Sequence, residues 1–221
     1  MKSMYSNNPI QAAAEHLAST IKEHLTAGDH VFWFLSGGSG IKVVLETDRL
    51  LAGTDLTNLS VTLSDERYGP VGHPDENWQQ LLDGGMKLKG TTMYRPLIGE
   101  EPAKTTDEFG AWIMQVMSAA QYKIGLFGIG SDGHTAGIKP HSSAIEASAW
   151  ANSFTGDDFE RITITPLAVS QLDEVIIQAS GVDKLPVLQQ LTQATLDVAD
   201  QPAQILKTVA NCTLYTDNEE I

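Results

Sequence analysis

Val31-Phe32-Trp33-Phe34-Leu35-Ser36-Gly37-Gly38-Ser39-Gly40 is the stretch whose reading decides the fold. Val31–Leu35 is a continuous apolar run too short for a helix of its own, so it predicts a buried strand. The run empties into Ser36–Gly40, after which Ile41, Val44, Leu45 and Leu51 mark one face of a helix that stops at Gly53. Upstream, Ala12–Leu25 has helical spacing and stops before Gly28. Downstream, strands are expected at Leu59–Leu63, Lys123–Phe127, Arg161–Thr165, Glu174–Ala179 and Cys212–Tyr215. Helices are expected near Trp78–Leu82, at Asp107–Ala119 and at Asp183–Leu191, the last with Pro186 in its first turn. Ser64–Asn77 is polar and carries Pro70, Gly72 and Pro74, which predicts a long surface loop. Strands alternating with helices predict an α/β fold: a doubly wound, mostly parallel sheet with helices on both faces, in a single domain over residues 1–221.

Charge narrows the partners. The chain has 14 Lys and Arg against 28 Asp and Glu, a formal charge of −14, so as a whole it repels nucleic acid and anionic membrane. An anionic substrate therefore needs a local positive site. Cys212 is the only cysteine, which excludes an internal disulfide framework and a multi-cysteine zinc site. The amino terminus lacks a basic segment followed by an apolar core, and no stretch approaches the roughly 18 apolar residues of a membrane span. The expected compartment is the cytoplasm. Monomer and homodimer are both compatible with the sequence.

Two loops carry the chemistry. Phe127-Gly128-Ile129-Gly130-Ser131-Asp132-Gly133-His134 follows a predicted strand, so Asp132 and His134 fall at its carboxyl end, where open α/β sheets place their ligand crevices. A histidine there can accept a proton near neutral pH. The glycines formally match G-x-G-x-x-G, but Pro140 interrupts any helix opening at Gly133, which argues against a dinucleotide site. Ser36, Gly37, Gly38 and Ser39 lie between a strand and a helix amino terminus, where backbone N–H groups, hydroxyls and the helix dipole favour a phosphate; an ordinary glycine-rich turn is the alternative. Lys-Ser/Thr does not follow, so this is no nucleotide P-loop. Arg67, in Ser64-Asp65-Glu66-Arg67, falls at the same sheet edge and can grip phosphate bidentately, or else pair with neighbouring acids on the surface. Asp65 and Glu66 read equally as helix-capping or solvated carboxylates. His73 reads as a loop residue in solvent. Lys184, at the start of a helix, opposes the helix dipole, which points to an anion partner or to a solvated lysine. No metal-ligand spacing and no serine-hydrolase elbow is present.

Leu35–Ser39, Ser64–Arg67 with Pro70 and Asn77, Gly128–His134, Arg161–Thr165 and Gly181–Lys184, in that order and spacing, resemble the 6-phosphogluconolactonase family, whose wider membership includes glucosamine-6-phosphate deaminases and isomerases. The resemblance implies a doubly wound α/β fold and hydrolysis of a sugar-phosphate lactone, a small-molecule substrate, in the oxidative pentose phosphate pathway. It implies that Ser36–Ser39, Arg67 and Lys184 hold the phosphate and that His134 is the base, with no metal or other cofactor. Asp132 is expected to orient His134 or the water, and Asp65, Asn77, Gly130 and Arg161 are further candidates for substrate contact. The chain departs from the family pattern at Gly40-Ile41, where Thr-Pro is common, and at Gly137-Ile138-Lys139, where Ser-Leu-Phe is usual. A deaminase of the same family would be expected to carry an acidic residue where Lys139 stands and Asp-Glu-Tyr where Asp65-Glu66-Arg67 stands. A non-catalytic sugar-phosphate sensor would keep the anion site without needing Asp132 and His134.

Overall fold

The computed structural model describes residues 1–156 and 159–221. Its elements run β1 (Lys2–Tyr5), α1 (Pro9–Ala27), β2 (Val31–Leu35), α2 (Ile41–Leu50), β3 (Leu59–Leu63), β4 (Asp65–Arg67), α3 (Asn77–Asp83), β5 (Thr92–Tyr94), α4 (Pro102–Ala119) and β6 (Tyr122–Phe127). They continue with β7 (Ala151–Thr155), β8 (Glu160–Ile164), α5 (Pro166–Val169), β9 (Glu174–Gln178), α6 (Leu185–Gln193) and β10 (Asn211–Thr216). Seven strands form one sheet in the order β1-β10-β9-β6-β2-β3-β5, and every neighbouring pair in it is parallel.

A parallel sheet is covered on both faces, and β2 shows how its sequence meets that demand. All five residues are buried, and the two-residue period sends them to separate cores. Val31, Trp33 and Leu35 join the cluster packed by α1, α2 and α3. Phe32 and Phe34 join the cluster on the other face with Phe109 and Ile113 of α4 and Leu188 of α6, their rings meeting edge to face at 4.6 Å. α1 starts at Pro9, earlier than the periodicity predicts, because Asn8 caps it by accepting from the Gln11 N–H at 3.3 Å. It ends where Gly28 adopts φ 90°, a left-handed cap.

The chain winds outward from β2 through β3 to β5, then returns to the other side of β2 and winds the opposite way through β6, β9 and β10. The carboxyl ends of β2 and β6 therefore flank the switch point, where open sheets leave a crevice.

The structure corrects the expectations around this core in two places. Ser64–Asn77 is not simply a surface loop, because Asp65–Arg67 forms β4, antiparallel to β8 in a separate three-stranded sheet β4-β8-β7. The strand expected at Arg161–Thr165 is β8, shifted by one residue and paired in that small sheet instead of the parallel one. Cross-strand pairing, not an apolar pattern of their own, holds β4 and β7. Strands β1 and β5, at the two sheet edges, are likewise too short and polar to show as runs. Among the described residues no helix is long and apolar enough to cross a membrane.

Gly125 sits inside β6, where an added methyl would lie 2.4 Å from Phe127 Cε2 and 3.0 Å from Leu172 Cδ1. Gly125→Ala is therefore expected to cost about 1–3 kcal/mol of stability through overpacking. Urea denaturation measures it, and an unchanged midpoint would mean that Phe127 turns aside freely.

Candidate active site

At the switch point a cleft of about 190 Å³ is lined by Ser36, Gly37, Gly38 and Ser39 after β2, by Gly130 and His134 after β6, by Asp65 and Arg67 of β4, and by Asn77 and Lys184. Residues scattered from 36 to 184 thus converge because the loops after β2, β6 and β9 meet β4 and the start of α3 at one edge.

The loop after β6 is shaped around the imidazole. The Gly130 N–H donates to the His134 carbonyl at 2.9 Å and the Gly133 N–H to the Gly130 carbonyl at 3.0 Å, with Gly133 at φ 82°. The ring packs directly on Gly130, where an added methyl would lie 2.1 Å from His134 Nδ1. Asp132 Oδ1 lies 2.5 Å from Nδ1 and accepts the His134 backbone N–H at 3.1 Å. With Nδ1 engaged by the carboxylate, Nε2 is the nitrogen left to accept a proton. Burial opposes ionisation of Asp132, but the His134 charge and its hydrogen bonds outweigh it and hold the carboxyl below the usual range. Asp132 stands behind the ring and does not line the cleft.

The small sheet delivers the opposite wall. Glu66 is fully buried and accepts three backbone N–H bonds, from Arg67 at 2.8 Å, Asn77 at 2.7 Å and Trp78 at 2.9 Å, so one carboxyl joins β4 to the start of α3. Burial pushes it up to about 8 against those donors. Neither Asp65 nor Glu66 is a solvated carboxylate: Glu66 caps a helix, and burial raises the half-buried Asp65, opposed by the charges of Arg67, His134 and Arg161. Asn77 donates to the Asp65 carbonyl at 3.2 Å, while its buried Oδ1 has no hydrogen-bond partner among the described residues; its side chain packs so tightly on Gly37 that an added methyl there would lie 2.2 Å from Asn77 Cγ.

Arg67 donates to the Asp75 carbonyl at 2.9 Å and stacks its guanidinium 5.5 Å from the Phe159 ring centre. Arg161 pairs with it across the strands and stacks on the same ring at 5.7 Å. Arg161 is buried and adds positive charge behind Asp65. His73 is half-buried and not solvated, its Nε2 lying 3.0 Å from the Arg67 carbonyl. Glu76, which sequence reasoning passed over, is fully buried and takes Arg95 through two 2.6 Å bonds, fixing the loop before α3. No periodicity marks such a pair.

The unusual Gly137-Ile138-Lys139 has a packing basis. Gly137 donates to Thr163 Oγ1 at 3.0 Å, and a methyl on it would lie 2.7 Å from Thr163 Cβ and 3.2 Å from Asp65 Cβ. Lys139 does not line the cleft. Among the described residues, no group of three or more His, Cys, Asp or Glu is gathered as a metal site. A larger cavity, about 480 Å³, lies at the other end of α2, but its acid Asp48 is engaged by the N–H groups of Lys87 and Leu88 and it holds no histidine.

The family model for glucosamine-6-phosphate isomerases and 6-phosphogluconolactonases matches residues 6–215. A 6-phosphogluconolactonase of Helicobacter pylori is 28% identical over 167 residues, covering 72% of each chain. The crystal structure of a 6-phosphogluconolactonase from Thermotoga maritima superposes with a TM-score of 0.81 at 18% identity over 97% of each chain. A monomeric glucosamine-6-phosphate deaminase superposes with a TM-score of 0.83 at 19% identity, covering 99% of this chain and 98% of its own. The backbone alone therefore does not separate the two activities.

Glu66→Ala is expected to cost about 3 kcal/mol or more, since it strands three buried N–H donors at roughly 1 kcal/mol each or above. A loss under about 1 kcal/mol on denaturation would show that water replaces the carboxylate.

Proposed function

The chain belongs to the glucosamine-6-phosphate isomerase/6-phosphogluconolactonase family, and from that premise we propose that it is a 6-phosphogluconolactonase, opening 6-phospho-D-glucono-1,5-lactone to 6-phosphogluconate. The observation that carries the reading is His134, held by Asp132 at 2.5 Å from behind, in one cleft with the cations Arg67 and Lys184. A phosphorylated lactone needs both, a base at the ester carbon and a cationic grip some atoms away.

In this reading Arg67, Lys184 and the Ser36–Ser39 loop hold the phosphate. His134 Nε2 takes a proton from water as the water oxygen bonds to C1. Asp132 steadies the imidazolium, and loop N–H groups stabilise the tetrahedral oxyanion. The C1–ring oxygen bond then breaks, and the imidazolium returns the proton to that oxygen. Water is the only co-reactant, so no cofactor is required. Asp65, Asn77 and Gly130 line the remaining wall and are assigned to the sugar. The substrate is a small molecule, and the acidic chain as a whole disfavours nucleic acid and anionic membrane. A buried lone cysteine suits a reducing compartment, so we place the reaction in the cytoplasm.

A deaminase is disfavoured because Lys139 stands where an acid would be needed and lies outside the cleft lining. A sensor is disfavoured because the Asp132–His134 geometry serves proton transfer and not phosphate binding.

The test is hydrolysis of freshly generated 6-phosphogluconolactone, corrected for spontaneous opening. Wild-type protein should show saturable turnover, and His134→Ala should lose about 10²–10⁴ of it. No acceleration by the wild type would bring the sensor forward, and full activity in His134→Ala would remove His134 as the base. Arg67→Ala should chiefly raise KM, because it grips a group remote from the reacting carbon. Unchanged saturation would overturn the phosphate assignment.

A further inference from the structure

His134 and Lys184 stand on loops that follow adjacent strands, β6 and β9, and among the described residues no hydrogen bond joins those two loops directly. Gln201 touches both sides. It is 2% exposed and belongs to neither loop. On one side its chain packs on the catalytic loop: a methyl added at Gly133 would lie 2.7 Å from Gln201 Cγ, and two residues on the Ala203 N–H donates to the Gly133 carbonyl at 3.0 Å. On the other side its amide Nε2 donates at 3.1 Å to the Val187 carbonyl, in the first turn of α6, the helix that Lys184 introduces.

The amide is itself held from behind. Gln204 Nε2 donates to Gln201 Oε1, and Lys207 Nζ donates to Gln204 Oε1 at 2.8 Å while also satisfying the Leu191 and Ala194 carbonyls at 3.0 and 2.8 Å at the far end of α6. A polar network that is satisfied in a buried setting is rigid and costly to disturb. This one runs the length of α6 and ends on the glycine one residue before His134.

We propose that Gln201 is a positioning residue that fixes the spacing between the phosphate-gripping turn at Lys184 and the base His134, and so selects lactones whose phosphate stands at the matching distance from the ester carbon. The proposal rests on the lactonase reading. For a substrate anchored by its phosphate, displacing the base relative to that anchor misaligns the attack; for a lactone without phosphate there is no anchor to be misaligned from.

The experiment compares Gln201→Met, which keeps the side-chain length and removes the amide, with wild type on 6-phosphogluconolactone and on glucono-1,5-lactone. Expected is a loss of about tenfold in kcat/KM on the phosphorylated lactone, carried by kcat with KM nearly held, and a change of less than about twofold on the other. Equal losses on both substrates, or none, would overturn the proposal. Gln204→Met, which frees Gln201 Oε1 and removes the acceptor for Lys207 Nζ while leaving the Gln201 amide in place, should shift the same ratio in the same direction and decides the matter if the first variant fails to melt cooperatively. Should the wild type turn over neither lactone, the lactonase reading fails and binding of 6-phosphogluconate decides the inference. Wild-type binding should then shift the His134 ring resonance, and Gln201→Met should bind with that shift lost; an unchanged shift, or no binding by the wild type, would overturn it.

Discussion

Burial of β2 on both faces is the constraint from which the rest of the structure follows. A central strand with Trp33 in one core and Phe32 and Phe34 in the other leaves no side chain facing water. Helices must then cover both sides, each crossover must return to the same edge, and every loop with freedom to vary gathers at the carboxyl ends. The glycine loops after β2 and β6 are neighbours for that reason alone. The Asp132–His134 pair and the Ser36–Ser39 loop are brought together by topology before local sequence.

The small antiparallel sheet solves a different problem, the delivery of charged groups to that edge without leaving them unsupported. Arg67 and Arg161 share the face of Phe159, and Glu66 and Glu76 spend buried carboxylates on backbone N–H groups and on Arg95. In a chain of net charge −14, cations are concentrated where a phosphate would enter and are held by neighbours that limit their motion. A guanidinium already stacked and hydrogen-bonded loses less freedom on binding than a solvated one.

The parallel core was legible because its signals are local. The runs at Val31–Leu35 and Leu59–Leu63 coincide with the strands residue for residue, and the glycines around His134 announce a loop whatever lies opposite. What was not legible depends on partners distant in sequence. β4 is three charged residues that become a strand only because β8 pairs with them, about a hundred positions away. Glu66, Glu76 and Gln201 carry side chains typical of the surface, and nothing in their own neighbourhoods marks them as buried. Arg67 and Arg161 face each other across β4 and β8, a register that sequence order does not show.

The edge strand β1 pairs within the sheet only with β10, Lys2 against Thr213 through Tyr5 against Thr216. During synthesis the early strand therefore waits, its ladder unpaired, until β10 has left the ribosome. The last edge to close joins the two most distant segments, which makes it a slow, high-contact-order event. A ribosome that stalled shortly before residue 211 would release a chain whose central strands can assemble while β9 still presents an open edge to its neighbours.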